Sequence, residues 1–242
     1  MILKDVGIMA TDSNRARLYL QHMARHGLVP SSAIYLRSPQ AATAENRAKL
    51  QNTDRPSLID IDGWTYDMEC MVLDTLKASD IPTTVVSDNN PNNDAAVSAL
   101  KESDAEIMIY AGPGGIILKK TTLSAGKKFL HIHPGVVPEY RGSTTVYYSL
   151  LNEGNCGASA FFFDEKIDTG PLIKTKIFAP PDDTSTLDFF YDPYIRAQLL
   201  VEVLKHYAET GEFSTQSQTA DVGETYYIIH PVLKHIAMLA KP

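Results

Sequence analysis

The sequence predicts an α/β protein with a Rossmann-like, mostly parallel sheet and helices on both faces. Two observations support this class. Short apolar or β-branched runs, typical of buried strands, alternate with segments whose apolar residues recur at helical spacing. Alternation of this kind builds βαβ units, in which the strands run parallel. The 242 residues, 44% of them hydrophobic, suffice for the core of one large domain.

The first half of the chain supplies most of the predicted βα units. The first strand is followed by Thr11–Asn14, whose residue types favour a helix N-cap. Strands are predicted at residues 6–10, 32–36, 82–86 and 105–111. Helices are predicted from residue 16 to Gly27, at 71–78 and at 93–100. Residues 38–66 are polar and are predicted to form a helix or loop excursion.

The second half of the chain predicts that the sheet contains both parallel and antiparallel strands at one edge. A strand is predicted at 129–133, a helix at 143–151, and a hairpin at 158–163 and 172–178. A long helix is predicted over 184–207, with Pro193 either bending it or marking its true start. We expect one main domain over residues 1–207 and a small C-terminal extension over 208–242 that packs on it.

Charge and composition exclude several classes of function. The net charge is −7 and basic residues are scattered, which disfavours a nucleic-acid partner. No apolar run reaches the length of a membrane span, and the first residues lack a secretory pattern. We therefore expect a cytoplasmic protein. Cys70 and Cys156 are expected to be thiols rather than a disulfide or a metal site.

The residues that carry chemistry lie around the predicted strand at 129–133. His131 and His133 alternate with Ile132 and so share one face of the strand, at the end where open α/β sheets bind ligands. Asp168 lies in a tight turn further along the chain. Three interpretations remain open: a structural histidine pair, a metal site with these three ligands, or metal-free acid–base and oxyanion catalysis.

The stretch HIHPGVVPEYRGSTTVYYSLLNEG, followed by FFFDEKIDTGPLI, resembles the core of the folate-dependent formyltransferases. That family includes the glycinamide ribonucleotide, methionyl-tRNA and sugar N-formyltransferases. Its pattern is Asn-x-His-Pro, then (Arg/Lys)-Gly, then Asp-x-Gly-x-Asp-x-Gly. The resemblance implies that residues 1–207 form a formyltransferase-like catalytic domain. It also implies 10-formyltetrahydrofolate as formyl donor.

The resemblance implies a role for each of the three residues. His133 is the family's histidine, which donates to the formyl oxygen, and Asp168 is its aspartate, which helps to accept the proton of the attacking amine. His131 stands where the family has asparagine, so it either replaces the amide donor or alters the chemistry. A metal-dependent hydrolase with His131, His133 and Asp168 as ligands is the alternative. A non-catalytic relative that binds folate is another.

A glycine-rich loop at residues 111–115 follows the predicted strand that ends at Tyr110. It lacks the spacing of a dinucleotide fingerprint. The resemblance implies that the backbone of the following segment holds the pterin, together with the loop at 164–168. The cofactor-binding residues are then expected to be Gly115, Ile116, Leu118, Asp164 and Ile167.

The acceptor is expected to be a small amine, most simply an amino sugar or sugar nucleotide. A phosphate-binding glycine-rich loop is missing after the first strand, where Asp12 would repel phosphate. The residues after the core are too few for the further RNA-binding domain of a methionyl-tRNA enzyme. Arg141, Tyr140 and Asp12 are the candidate substrate contacts. No metal is expected at this site, and the oligomeric state is open.

Overall fold

The computed structural model describes residues 1–38, 55–219 and 222–239. The chain forms two compact units, Met1–Phe129 and Leu130–Pro242, and their boundary falls within one strand. The structure confirms the predicted α/β class with a mostly parallel seven-stranded sheet. The predicted boundary between residues 207 and 208 stays a prediction.

The first unit is built around four parallel strands in the order β6-β1-β2-β5. Its strands are β1 (Ile2–Ala10), β2 (Val29–Leu36), β3 (Leu58–Ile61), β4 (Trp64–Asp67), β5 (Thr83–Val86) and β6 (Ile107–Ala111). Its helices are α1 (Asn14–Arg25), α2 (Val72–Ala78), α3 (Asp94–Glu102) and α4 (Lys120–Leu123). Residues 107–111 of β6 are all buried, as expected for a strand covered on both faces.

Side-chain caps explain where two of these helices begin. Ser13 accepts a hydrogen bond from the backbone N–H of Ala16, and Asn93 accepts one from that of Ala96. Both are residue types that satisfy the first free N–H groups of a helix. The predicted cap region 11–14 is confirmed for the first of these helices, whereas Asn93, predicted as the first residue of its helix, is the cap that precedes it.

The second unit contains a three-stranded antiparallel segment in the order β10-β9-β7. Its strands are β7 (Lys128–His133), β8 (Tyr140–Gly142), β9 (Cys156–Phe162), β10 (Leu172–Phe178) and β11 (Glu224–Tyr226). Its helices are α5 (Thr145–Glu153), α6 (Asp192–Thr210) and α7 (Pro231–Leu239). The predicted hairpin is confirmed, and β8 pairs with β11 in parallel.

One expectation about local structure needs correction, and for the long helix one of its two alternatives is confirmed. Residues 58–67 form the β3–β4 hairpin rather than a helix or loop, and residues 39–54 lie outside the described part of the chain. The long helix begins at Asp192, with Pro193 in its first turn, while 184–191 form a 3-10 turn and a π-helical turn. Proline fits a first helical turn because its missing N–H is not needed there. The pattern could not separate these turns from the helix that follows them.

No helix among the described residues is both long and apolar enough to cross a membrane. Cys70 and Cys156 are free thiols, as expected. Burial raises the pKa of the Cys156 thiol to about 12, so that this thiol stays protonated at neutral pH.

The loop after β6 is tied to the start of α3 by Asn92. Its side-chain oxygen accepts hydrogen bonds from the Lys119 N–H at 2.7 Å and the Thr122 hydroxyl at 2.8 Å. Its amide donates to the Ile117 carbonyl at 3.0 Å. One side chain thus fixes the segment that leads from the glycine-rich loop into α4.

Replacing Asn92 with alanine should therefore loosen this segment. We expect Asn92→Ala to lower the free energy of unfolding by about 1–3 kcal/mol, because three hydrogen bonds are lost, two of them exposed and one partly buried. Urea unfolding measures the change. Asn92→Asp is the matched control, since it keeps the accepting oxygen and loses only the donated bond. A loss below about 0.5 kcal/mol for the alanine variant, as at an ordinary surface position, would contradict this role.

Candidate active site

The candidate site lies at the C-terminal end of β7. His131 and His133 are separated by one residue, and they pair with Phe161 and Ser159 of the neighbouring strand β9. Only 8% of His131 and 2% of His133 is exposed. The strand therefore brings both imidazoles to one place, as predicted, in an enclosed environment.

His133 is held by contacts at both ring nitrogens. Nε2 lies 2.7 Å from the carbonyl oxygen of Tyr140 and 3.3 Å from the hydroxyl of Thr145. A carbonyl oxygen can only accept, so Nε2 carries a hydrogen. The Thr145 hydroxyl donates to the Pro134 carbonyl and can accept from the same imidazole. With the ring held in this orientation, Nδ1 faces Asp168, whose Oδ2 lies 3.4 Å away.

Asp168 reaches His133 from a strained turn. Its backbone has φ of 54°, in the left-handed region, which asparagine and aspartate tolerate better than most residues. Gly170 follows where an added Cβ would lie 1.8 Å from the Phe162 carbonyl oxygen, so only glycine fits. The carboxylate is 8% exposed, and its Oδ2 accepts a hydrogen bond of 2.7 Å from the Gly142 N–H. The turn therefore aims a buried, oriented carboxylate at His133.

His131 completes a group of three. Its ring stacks on Phe163 with centroids 4.6 Å apart and meets Phe161 edge-on at 5.5 Å. Ligand atoms of His131, His133 and Asp168 all lie within 4.8 Å of one another. The structure thus brings together the three residues singled out in the sequence.

The short strand β8 positions the His133–Asp168 pair. Its first residue, Tyr140, supplies the carbonyl for His133, and its last residue, Gly142, supplies the N–H for Asp168. Gly142 has φ of 99°, and an added Cβ would lie 2.1 Å from the carbonyl oxygen of Tyr226. Glycine is required here because it alone combines this backbone conformation with such close packing.

The C-terminal segment 216–226, of which residues 216–219 and 222–226 are described, in turn holds β8. Strand β11 pairs with β8, and the buried Arg141 donates to the carbonyl oxygens of Val222 at 3.0 Å and Thr219 at 3.1 Å. Gln218 donates to the carbonyl of Gly170 at 2.7 Å. The segment therefore contacts both β8 and the turn that carries Asp168.

All three residues predicted to contact the substrate form hydrogen bonds to other residues of the protein. Arg141 is 5% exposed and faces the carbonyls of segment 216–226. The Tyr140 hydroxyl donates to Glu153, and burial followed by this carboxylate raises the pKa of Tyr140 to about 12. Asp12 accepts hydrogen bonds from the Tyr35 hydroxyl and from the Val72 N–H. These contacts give each residue a structural role. The roles of the three residues in substrate binding stay predictions.

The predicted cofactor loop has an exposed edge in the first unit. Gly115 has φ of 74°, and Ile116 and Ile117 are 36% and 69% exposed, whereas Leu118 is buried. Arg15 donates to the carbonyl of Gly112 at the start of the loop. Burial raises the pKa of Tyr110, which precedes the loop, to about 12. Accessible backbone and apolar side chains suit a flat ligand.

The second predicted cofactor loop lies in the other unit. Asp164 accepts hydrogen bonds from the Lys166 N–H and the Thr169 hydroxyl, each at 2.9 Å, and Ile167 is 48% exposed. The carboxylate of Asp164 therefore organises the loop that ends at Asp168. Cofactor contacts from either loop stay predictions.

The sequence did not reveal Thr145 or segment 216–226 as parts of the site. Thr145 lies on the first turn of α5 with no neighbour that marks it. The signal that existed was Gly142, because a glycine after Arg141 indicates a constrained backbone. It could not indicate which part of the chain imposes the constraint.

A comparison with known families decides the relationship. The family model described as Formyl transferase matches residues 64–188, which is just over half of the chain and includes all three site residues. The chain belongs to the formyl transferase family. The resemblance stated from the sequence is thereby confirmed.

The curated relatives of this chain are longer proteins. The chain is 32% identical to methionyl-tRNA formyltransferase from Thermus thermophilus over 120 residues. The aligned region covers 48% of this chain and 39% of that protein. A second relative with the same name, from Pelagibacter ubique, is 32% identical over 108 residues. The chain spans about two fifths of the length of the first of these relatives.

Solved structures share the fold of this chain at low sequence identity. Phosphoribosylglycinamide formyltransferase from Anaplasma phagocytophilum is 17% identical with a TM-score of 0.58, over 92% of this chain and 97% of that one. An N-formyltransferase from Helicobacter canadensis, in complex with folinic acid and dTDP-3-aminofucose, is 16% identical with a TM-score of 0.57. That match covers 94% of this chain and 71% of the other. These matches establish the fold alone.

The contacts of Arg141 lead to a prediction about stability. Arg141→Ala should lower the free energy of unfolding by about 2–4 kcal/mol, because a buried charged donor of several hydrogen bonds is removed. Urea unfolding measures the loss, and hydrogen exchange should show faster opening of residues 222–226. Arg141→Lys keeps the charge and should recover part of the stability. Wild-type stability in the alanine variant would show that Arg141 does not hold this segment.

Proposed function

We propose that this protein transfers a formyl group from 10-formyltetrahydrofolate to a primary amine of a small acceptor, an amino sugar or a sugar nucleotide. The observation that carries the proposal is the buried His133–Asp168 pair beside His131, within the part of the chain that matches the family. Formyl transfer needs an oxyanion stabiliser and a proton acceptor together, and these side chains supply both.

The reaction exchanges one bond for another. The amine nitrogen attacks the formyl carbon, the carbonyl oxygen becomes an oxyanion, and the bond from that carbon to the folate nitrogen then breaks. The attacking nitrogen loses a proton and the departing nitrogen gains one, so tetrahydrofolate and a formamide result. The protein must therefore stabilise negative charge on oxygen and move one proton between two nitrogens.

The three side chains divide this work. Both nitrogens of His133 face protein atoms, so this ring acts through its positive charge when Nδ1 shares a proton with Asp168. His131 supplies the ring N–H that takes the place of the amide donor of the family's asparagine. Asp168 accepts the proton of the amine. In a site with this little exposure such charges act strongly, because water screens them poorly.

The formyl donor would be held mainly by backbone. The exposed backbone at Gly115 and Ile116 and the following segment to the buried Leu118 offer N–H and C=O groups that can pair with a pterin, and Ile116 offers an apolar surface. Asp164 and Ile167 belong to the same proposal, since they lie on the loop that leads to Asp168. Binding by backbone groups leaves few recognisable side chains in a sequence.

The acceptor class follows from charge and from the structural neighbours. A chain of net charge −7 is poorly suited to a tRNA acceptor. Two structural neighbours are N-formyltransferases, one in complex with dTDP-3-aminofucose and one, a sugar 3N-formyltransferase, in the presence of dTDP. A small amine on a sugar therefore fits better than a nucleic acid. The proposal retains the cytoplasmic location expected from the sequence.

Removing either member of the pair should abolish transfer while the fold survives. We expect His133→Ala and Asp168→Asn each to lower kcat by about 100- to 1000-fold, the usual effect of losing one preorganised electrostatic group. Release of tetrahydrofolate, followed by absorbance with candidate amino sugars, measures turnover. His206→Ala, at an exposed position on α6, is the control.

The same assay separates the alternatives. Turnover close to wild type in His133→Ala or Asp168→Asn would remove that residue from the mechanism. Folate binding without release for any amine would favour a non-catalytic relative. Release that needs no amine would favour hydrolysis of the donor by water.

His131 leads to a prediction of its own. Because His131→Asn restores the neutral amide donor that the family has at this position, we expect it to retain turnover within about tenfold of wild type. The measurement is the same release assay, with unfolding curves to show that the variant is folded. A loss as large as that of His133→Ala would show that the imidazole does something an amide cannot.

A further inference from the structure

The three buried groups at the end of β7 have a second chemical capacity. Among residues 1–38, 55–219 and 222–239, His131, His133 and Asp168 form a group of ligand atoms close enough to share one metal ion. All three are less than a tenth exposed. Enclosed imidazole and carboxylate groups are common ligands of Zn²⁺.

The tautomer of His133 prepares it to act as a ligand. Its Nε2 carries a hydrogen because it lies 2.7 Å from the Tyr140 carbonyl oxygen. Nδ1 is then the ring atom that faces Oδ2 of Asp168. A metal ion between these two atoms would bind the imidazole nitrogen and the carboxylate together.

The distance between the two groups fits a shared metal ion. Nδ1 of His133 lies 3.4 Å from Oδ2 of Asp168. A charge-assisted N–H···O bond is usually about 2.7–2.9 Å long. Two ligand atoms bound to zinc at about 2.0–2.2 Å with a tetrahedral angle lie about 3.3–3.5 Å apart. For this pair the observed spacing is that of neighbouring ligands, and the ligand atom of His131 lies within 4.8 Å of both.

Both groups also have the outer contacts that metal ligands need. The second nitrogen of His133 donates to a backbone carbonyl, and Asp168 accepts from the Gly142 N–H at 2.7 Å. Such contacts fix the orientation of the ligands and the tautomer of the imidazole. Both partners lie on β8, so a single strand orients two of the three ligands.

His131 is the residue that makes the set sufficient. Imidazole is a good ligand for zinc, whereas the asparagine amide expected at this position from the family pattern is a poor one. Its ring lies against Phe161 and Phe163, which keep the surroundings apolar. With three protein ligands, a fourth position stays open for water or a substrate oxygen.

We propose that His131, His133 and Asp168 form a binding site for a divalent transition-metal ion, with Zn²⁺ as the ion of reference. The ion takes the place of the proton between His133 and Asp168, so its binding does not depend on formyl transfer. The site can be tested with protein alone, in the absence of folate or amine, and a failed transfer assay would leave the result intact.

The experiment is a titration of chelator-treated protein with Zn²⁺ against a chromophoric competitor, with the metal content checked by mass spectrometry. We expect one Zn²⁺ per chain and visible absorption bands of tetrahedral Co²⁺ when cobalt is used instead. His131→Asn should weaken Zn²⁺ binding by more than about 100-fold, since losing a ligand costs more than losing an outer contact. Asp168→Asn is the second ligand variant.

Two controls make the result decisive. His206→Asn removes an exposed imidazole away from the site and should leave the affinity unchanged. Thermal unfolding of each variant shows whether it is folded. Absence of Zn²⁺ binding to the wild-type protein, or equal affinity in wild type, His131→Asn and Asp168→Asn, would overturn the proposal.

Discussion

The structure of the site depends on two backbone contacts made by one three-residue strand. The carbonyl of Tyr140 fixes the hydrogen of His133 on Nε2, and the N–H of Gly142 fixes the carboxylate of Asp168. Because both contacts come from β8, a shift of that strand would change the imidazole and the carboxylate together. Chemistry at this site is therefore controlled by whatever holds β8.

Strand β8 is held by a part of the chain that lies far away in sequence. Segment 216–226 pairs with β8, receives hydrogen bonds from Arg141, and contacts Gly170 next to the turn that carries Asp168. The C-terminal residues are thus part of the architecture of the site. This explains why Arg141, attractive from sequence as an anion ligand, is buried among backbone carbonyls.

Much of the fold followed from the sequence because strand and helix periods are local. The runs that became β1 and β6 and the capped starts of α1 and α3 carry their signals within a few residues. The pairing of β8 with β11 carries no local signal, because three-residue strands show too little alternation and long-range pairing depends on tertiary packing. The same limit hid Thr145 and segment 216–226 from the sequence.

The site depends most directly on the contact between Nε2 of His133 and the Tyr140 carbonyl, which leaves Nδ1 facing Oδ2 of Asp168. The most direct measurement is ¹⁵N NMR of the histidine rings in metal-free protein and after addition of Zn²⁺. We expect a hydrogen on Nε2 of His133 in both states and the metal on Nδ1 after the addition. A hydrogen on Nδ1 with none on Nε2 in the metal-free protein would contradict this arrangement.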